Sequence, residues 1–296
     1  MTVGTVVGAT AEARRREGGQ SRPVHVAMLL GKPPERSPTL PEVIICLRAA
    51  GAIVRTHVPG PEGSLPVWLN DVDVVALRGL RRQTLAALVE REQQGMRCCN
   101  AARATLTVRD RLAVQRVLTE AHIAVPAAAA VQDVPDIRRW AADRPVVVKA
   151  GQDDGGRGAG IAMWSARDTG PEPAGPGPYL VQEWVPGDGV DRKIYVAGSV
   201  LGGLLKPQDD RASGGRPFSP SPSLQTLALA VGRALQLEIF GVDVVEGANG
   251  PVVVDVNAFP SCRGVPGAAR AVAGVLLARA GRPGRGSTAP AGGRPS

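Results

Sequence analysis

Residues 241–260, GVDVVEGANGPVVVDVNAFP, admit very few structures. Two valine-rich runs flank Asn249-Gly250, a dipeptide that favours a tight hairpin. Successive side chains of a strand point to opposite faces, so Asp255 and Asn257 share one. Pairing about the turn brings Asp243 beside them on the neighbouring strand. Two carboxylates and an amide oxygen, with no His or Cys nearby, form a set of hard oxygen donors. Such a set suits Mg²⁺ held together with substrate phosphates. The plainer alternative is a hairpin with three unrelated polar positions.

The lysines narrow the choice. The chain has four lysines against 31 arginines, and three of the four lie in or beside strand-like segments of its second half. These are Lys149 in RPVVVKAG, Lys193 in DRKIYVAG and Lys206 in LGGLLKP. Lys149 closes an apolar run and is followed by the Gly-rich segment GQDDGGRGAG, residues 151–160. Glycines let backbone N–H groups approach phosphate oxygens, and a lysine beside them supplies a point charge. The segment fits neither a Walker pattern nor a dinucleotide fingerprint.

Composition bounds the class. At 296 residues the chain can hold two or three domains, and 44% apolar with 21% charged residues is ordinary for a globular protein. Aromatics at 3% argue against a stacking platform for single-stranded nucleic acid. The net charge of +8 comes from dispersed arginines, several of them near the ends, so an anionic small molecule accounts for it better than nucleic acid. Cys46, Cys98, Cys99 and Cys262 show no zinc-ligand spacing, and the simplest compartment is a reducing cytoplasm. No signal peptide or membrane-spanning run is visible.

Along the chain, residues 1–22 and 281–296 lack periodicity and are expected to be disordered tails. Residues 23–102 alternate strand (25–30, 53–58, 71–79) and helix (41–51, 81–94), a βαβ pattern for a small parallel sheet. Residues 108–123 read as one helix, followed by an extended link. Strands 146–149 and 161–164 flank the Gly-rich loop. Segments 179–189, 191–198 and 200–207 read as one antiparallel sheet, and 207–222 as a long polar loop. Helices at 223–237 and about 266–280 bracket the opening hairpin.

This order of parts resembles the ATP-grasp superfamily, and within it the branch of the ribosomal-protein glutamate ligases, from about residue 24 to 280. The resemblance implies an α/β + α+β architecture in which a small Rossmann-like domain (23–102) precedes two lobes (103–178 and 179–280) that grip ATP. It implies ATP and Mg²⁺, with Mn²⁺ as a substitute, and it assigns roles. Lys149 and the loop glycines Gly155, Gly156 and Gly158 meet phosphates. Gln182, Glu183, Trp184 and Val185 form the hinge, where backbone and Glu contact adenine. Asp191 meets the ribose, Lys193 and Lys206 face the phosphates, and Asp243, Asp255 and Asn257 bind the metal. Members are often dimers or tetramers, so a homo-oligomer is expected.

The pattern also departs from the family. Asp110-Arg111 stands where Asp-Lys is usual, and an Arg is a fork rather than a point donor. Asp255 replaces the usual Glu. Asp153 and Asp154 lie in the phosphate loop, and the substrate-side arginine motif is absent from 207–222. The forms Asp-x-Asn-x-Phe-Pro (255–260) and Lys-x-Tyr-Val-x-Gly (193–198) resemble inositol phosphate kinases of the same fold. The leading expectation is a carboxylate–amine ligase acting through an acyl phosphate, with Arg263 as the group that holds a carboxylate. The alternatives are a kinase acting on a polyol or inositol-phosphate-like hydroxyl, and a non-catalytic nucleotide-binding protein.

Overall fold

A computed structural model of the chain describes residues 22–152, 161–173, 176–208 and 214–281. Four parallel strands open it: β1 (His25–Leu30), β2 (Ile53–His57), β3 (Val74–Arg78) and β4 (Cys98–Cys99), in the order β2-β1-β3-β4. Helix α1 (Leu40–Ala49) connects β1 to β2, and α2 (Arg82–Gln93) connects β3 to β4. Strands β1 and β3 are buried runs, as expected of strands covered on both faces.

The helix expected over 108–123 forms as α4 (Arg111–Glu120), shorter at both ends, and a separate helix, α3 (Ala102–Val108), ends just before it. Asp110 sets the start of α4, because its carboxylate caps that helix, accepting from Ala113 N at 3.0 Å. The link that follows contains β5 (Ala128–Val131), then α5 (Val134–Ala141), β6 (Val146–Ala150), β7 (Ile161–Trp164) and β8 (Tyr179–Glu183). These strands form one sheet, β5-β8-β6-β7, with every pairing antiparallel. The expectation that 179–189 joins the strands after it is therefore corrected. Residues 179–183 pair with β5 and β6, because Val181 packs into the core under α5 with Val146, Val148 and Ile137.

The last sheet contains β9 (Val190–Ala197), β10 (Ser199–Pro207), β11 (Arg216–Phe218), β12 (Ile239–Gly247) and β13 (Gly250–Ala258), in the order β11-β10-β9-β12-β13. The loop expected over 207–222 is shorter, since Arg216–Phe218 forms an edge strand on β10. Helix α6 (Pro222–Leu235), capped by Ser221, packs its apolar stripe against Ile194, Val196, Phe240, Val242 and Val244. Helix α7 (Ala268–Gly281) turns back from the last sheet and packs against α1 and β1, in the core of the first domain. The tails, the loop glycines Gly155, Gly156 and Gly158, and Asp153 and Asp154 lie outside the described residues apart from Arg22 and Gly281.

Asn100 fastens the first sheet to the last. Fully buried, it donates from Nδ2 to Ile239 O at 2.6 Å and accepts at Oδ1 from Glu238 N (2.7 Å) and Ile239 N (2.8 Å). Asn100→Ala strands these groups away from water. The expected loss is about 2–4 kcal/mol of stability, read from urea unfolding.

Candidate functional site

The opening hairpin forms, with Gly247 paired to Gly250 and the turn at Ala248-Asn249, one residue earlier than expected. Gly250 has φ +108°, a conformation that an L side chain rarely adopts. Asp243 and Asp255 stand directly opposite each other, with Asn257 two residues on along the same face. Lys193 is opposite Asp243 on the other side, and its Nζ donates to Asp243 Oδ2 at 2.8 Å. Asn257 Nδ2 donates to Asp255 Oδ2 at 2.9 Å, which holds both side chains together.

The register slips between Asp243 and Val244, so Val254 has no partner on β12. Its carbonyl oxygen accepts from Lys149 Nζ at 2.6 Å. Lys149 is 6% exposed and reaches across from the other lobe. Burial lowers its pKa, and the charges of Asp255 and Asp243 oppose that shift. Burial raises the pKa of Asp243, while Lys193 pulls it back down.

A cleft of about 430 Å³, its open mouth included, lies between β6 and β8 on one side and β13 on the other. Val114, Leu118, Val125, Leu180 and Val256 give it an apolar part; Arg111, Lys149 and Asp255 give it a charged part. Arg111 begins α4 and donates from Nη1 to Ala150 O at 2.8 Å, so it sits beside the strand end that carries Lys149. Gly151 belongs to that junction: a Cβ there would meet Pro178 O at 2.4 Å.

The other expected site residues divide. Gln182 is buried and lines the cleft. Glu183 is not brought into it: the alternation of β8 puts its carboxylate on the other face, where it pairs with Arg144. Trp184 is held through its backbone N–H to Pro145 O at 2.9 Å, and Val185 lies against Gly247. Asp191 accepts from Gln208 Nε2 at 2.9 Å and stands opposite Lys206. Asp191, Lys193 and Lys206 share the face that carries Asp243. Arg263 is exposed on the turn after β13, and no contact joins it to the carboxylates among the described residues.

Three participants were not anticipated. Tyr195 is two residues after Lys193 on the same strand face, a step that alternation alone reveals. Burial pushes its hydroxyl up to about 12. Gln115 falls on the helical stripe Arg111, Val114, Gln115, Leu118 and was equally findable. The Val254 carbonyl was not, because nothing in the sequence announces the slip in register.

The described residues contain no cluster of three or more His, Cys, Asp or Glu side chains that could hold a metal. The donor set is instead two carboxylates and an amide, and it fits a hard divalent cation. Asp243 Oδ1 is buried with no hydrogen-bond partner, and two carboxylates face each other directly, an arrangement that a cation relieves. Cys262, nearby and buried, is no nucleophile: burial pushes its thiol up to about 11.

Two lobes meeting over a cleft with these lysines and carboxylates define an ATP-grasp protein. Over residues 108–271 the chain matches the RimK-like ATP-grasp domain, and it belongs to that family. A probable alpha-L-glutamate ligase of Stenotrophomonas maltophilia (strain K279a) is 28% identical over 219 residues, covering 68% of this chain and 75% of that protein. A probable alpha-L-glutamate ligase of Xanthomonas euvesicatoria pv. vesicatoria (strain 85-10) is 30% identical over 217 residues, covering 67% and 72%. Among solved structures, the RimK domain ATP-grasp protein of Sphaerobacter thermophilus DSM 20745 aligns with a TM-score of 0.69 at 22% identity, over 86% of this chain and 100% of that one. D-alanine–D-alanine ligase from Bacillus anthracis, complexed with ATP, aligns at 0.65 and 14% identity, over 88% and 97%. The chain is an ATP-binding enzyme of this fold, a ligase of the C–N bond-forming class.

Lys193→Met leaves Asp243 buried with neither oxygen bonded, and about 2–4 kcal/mol of stability is expected to be lost. Adding Asp243→Asn should restore much of it; a double mutant as unstable as the sum of the two single mutants would show that the pair is not coupled. A second expectation concerns pH. The Cys262 thiol ionises near 11 in the folded chain against an ordinary value of 9.0, so the unfolded chain loses this proton first. Its contribution is complete below about pH 9 and is lost as pH rises toward 11, by roughly 2–3 kcal/mol. Cys262→Ala should flatten that part of the urea-midpoint profile.

Proposed function

We propose that the chain is an ATP- and Mg²⁺-dependent carboxylate–amine ligase that works through an acyl phosphate, with an amino acid or peptide as its acid substrate. The observation that carries this reading is the buried, unpartnered Asp243 Oδ1, beside Lys193 and opposite Asp255, which with Lys149 and Arg111 lines the charged end of the cleft. The apolar part takes the base and the charged part takes the triphosphate. Asp243, Asp255 and Asn257 hold Mg²⁺, for which Mn²⁺ substitutes, and the cation offsets negative charge on the nucleotide phosphates. Asp191 meets the ribose, and Lys206 and the glycines Gly155, Gly156 and Gly158 meet the phosphates.

Lys149 and Lys193 stabilise charge on the phosphoryl group in flight. A substrate carboxylate oxygen attacks the γ-phosphorus, the bond to the β–γ bridging oxygen breaks, and ADP leaves. The amine then attacks the acyl carbon and expels phosphate. No enzyme nucleophile is needed, in keeping with a Cys262 thiol that stays protonated. Arg263, exposed beside the end of β13, is free to fork onto a carboxylate. The relatives named as probable glutamate ligases support an amino-acid substrate. The setting is the cytoplasm, in keeping with four cysteines none of which is joined in a disulfide among the described residues, and a homo-oligomer is the assembly that the family resemblance implies.

Incubation with Mg²⁺-ATP, pooled amino acids and hydroxylamine should yield ADP, an equal amount of phosphate, and a hydroxamate. Asp255→Ala should reduce that turnover by about a thousandfold or more while leaving the unfolding transition in place. A product heavier by one phosphoryl group, with no free phosphate, would make the enzyme a kinase.

A further inference from the structure

A chain of amides on the cleft wall bears on how the nucleobase is chosen. Its first link is a backbone carbonyl, Pro126 O, which can only accept. Gln115 Nε2 donates to it at 2.9 Å. That bond fixes the Gln115 amide, so its Oε1 faces Gln182, whose Nε2 donates to it at 2.8 Å. The Gln182 amide is fixed in turn. Its nitrogen is engaged in the wall, and its oxygen, an acceptor only, is left to the cleft that Gln182 lines.

The place of this acceptor follows from strand geometry. Leu180 stands opposite Lys149, and Gln182 opposite Val147. Gln182 is thus one same-face step, roughly 6–7 Å, farther from the buried ammonium. Around it the cleft is apolar, lined by Val114, Leu118, Val125 and Val256. A flat heterocycle placed against this wall would have its phosphates toward Lys149 and Arg111. The 6-amino group of adenine is a donor, whereas a 6-oxo purine presents an acceptor. Two acceptors facing each other leave both unpaired, and that is costly in a buried site.

We propose that Gln115 is a positioning residue for nucleotide selection: anchored on Pro126 O, it holds Gln182 with Oε1 toward the base, so that the cleft accepts a 6-aminopurine nucleotide and rejects a 6-oxopurine. This rests on the reading of the cleft as the ATP site.

The test is equilibrium dialysis of the full chain with Mg²⁺ and either ATP or ITP, which differ at the 6-position of the base and its N1 proton. The wild type should bind ATP at least about tenfold more tightly than ITP. Gln115→Leu releases Gln182 to rotate, so the ATP:ITP ratio should fall toward one, with ATP weakened more than ITP. Gln182→Leu removes the acceptor and should collapse the ratio by weakening ATP. Gln115→Glu has no donor for Pro126 O, so the anchor is lost and the ratio should fall as it does for Gln115→Leu. Lys149→Met should weaken both nucleotides equally. A wild type that binds ATP and ITP alike, or a Gln115→Leu variant with an unchanged ratio, would overturn the relay while leaving the ATP site standing. A wild type that binds neither would overturn both.

Discussion

The hydrogen bond from Lys149 Nζ to Val254 O is the contact on which the site depends. It crosses from one sheet to the other and places a buried ammonium against the backbone of the strand that carries Asp255 and Asn257. Burying a lysine is costly unless its charge is answered. Here the carbonyl takes one donor, and the fields of Asp255 and Asp243 oppose the loss of its proton. The slip of one residue in β13 makes this geometry available, since Val254 has no opposite number on β12. The same slip lets Asp255 face Asp243 while Val253, two residues away, turns into the core under α6.

The hairpin is secured from the other side by the first domain. Asn100 binds the start of β12, Arg78 Nε donates to Phe259 O at 3.2 Å, and Thr39 Oγ1 donates to Ser261 O. Helix α7 leaves the last sheet and fills the core between α1 and β1. Side chains near the carboxylates are therefore set by three separate sheets. Asn100, Asp110 and Gln115 are anchored on backbone groups that can only donate or only accept, while Asp243, Asp255 and Gln182 are held by neighbouring side chains, and such anchoring organises a binding cleft before any ligand arrives.

Much of this was legible in the sequence, because local physics settled it. A two-residue side-chain period is enough to put Asp255 and Asn257 on one face, and a hairpin is enough to bring the strand of Asp243 alongside, but the turn falls on Ala248-Asn249 and a slip in register sets Asp243 opposite Asp255. The scarcity of lysine singled out Lys149, Lys193 and Lys206, and β9 and β10 do place Lys193 and Lys206 on one face with Asp191. The errors share a cause. Residues 179–183 look the same as the strands that follow, and only the core under α5 decides which sheet they join. The same pairing turns the Glu183 carboxylate toward Arg144. The helix expected over 108–123 starts later, at Arg111, because the carboxylate of Asp110 caps it there.

The sequence by itself determined the elements, the faces of the strands and the identity of the charged set, because periodicity, turn chemistry and side-chain type act over a few residues. Tertiary structure alone decided which sheet each strand entered, where the register slipped, and which way Gln115, Gln182 and Glu183 point. Those outcomes depend on partners tens to more than a hundred residues away: Val254 for Lys149, Gln182 for Gln115 and Ile239 for Asn100. No local pattern encodes which distant group will satisfy a buried donor, so the chemistry of the cleft could be named from the chain but its geometry could not.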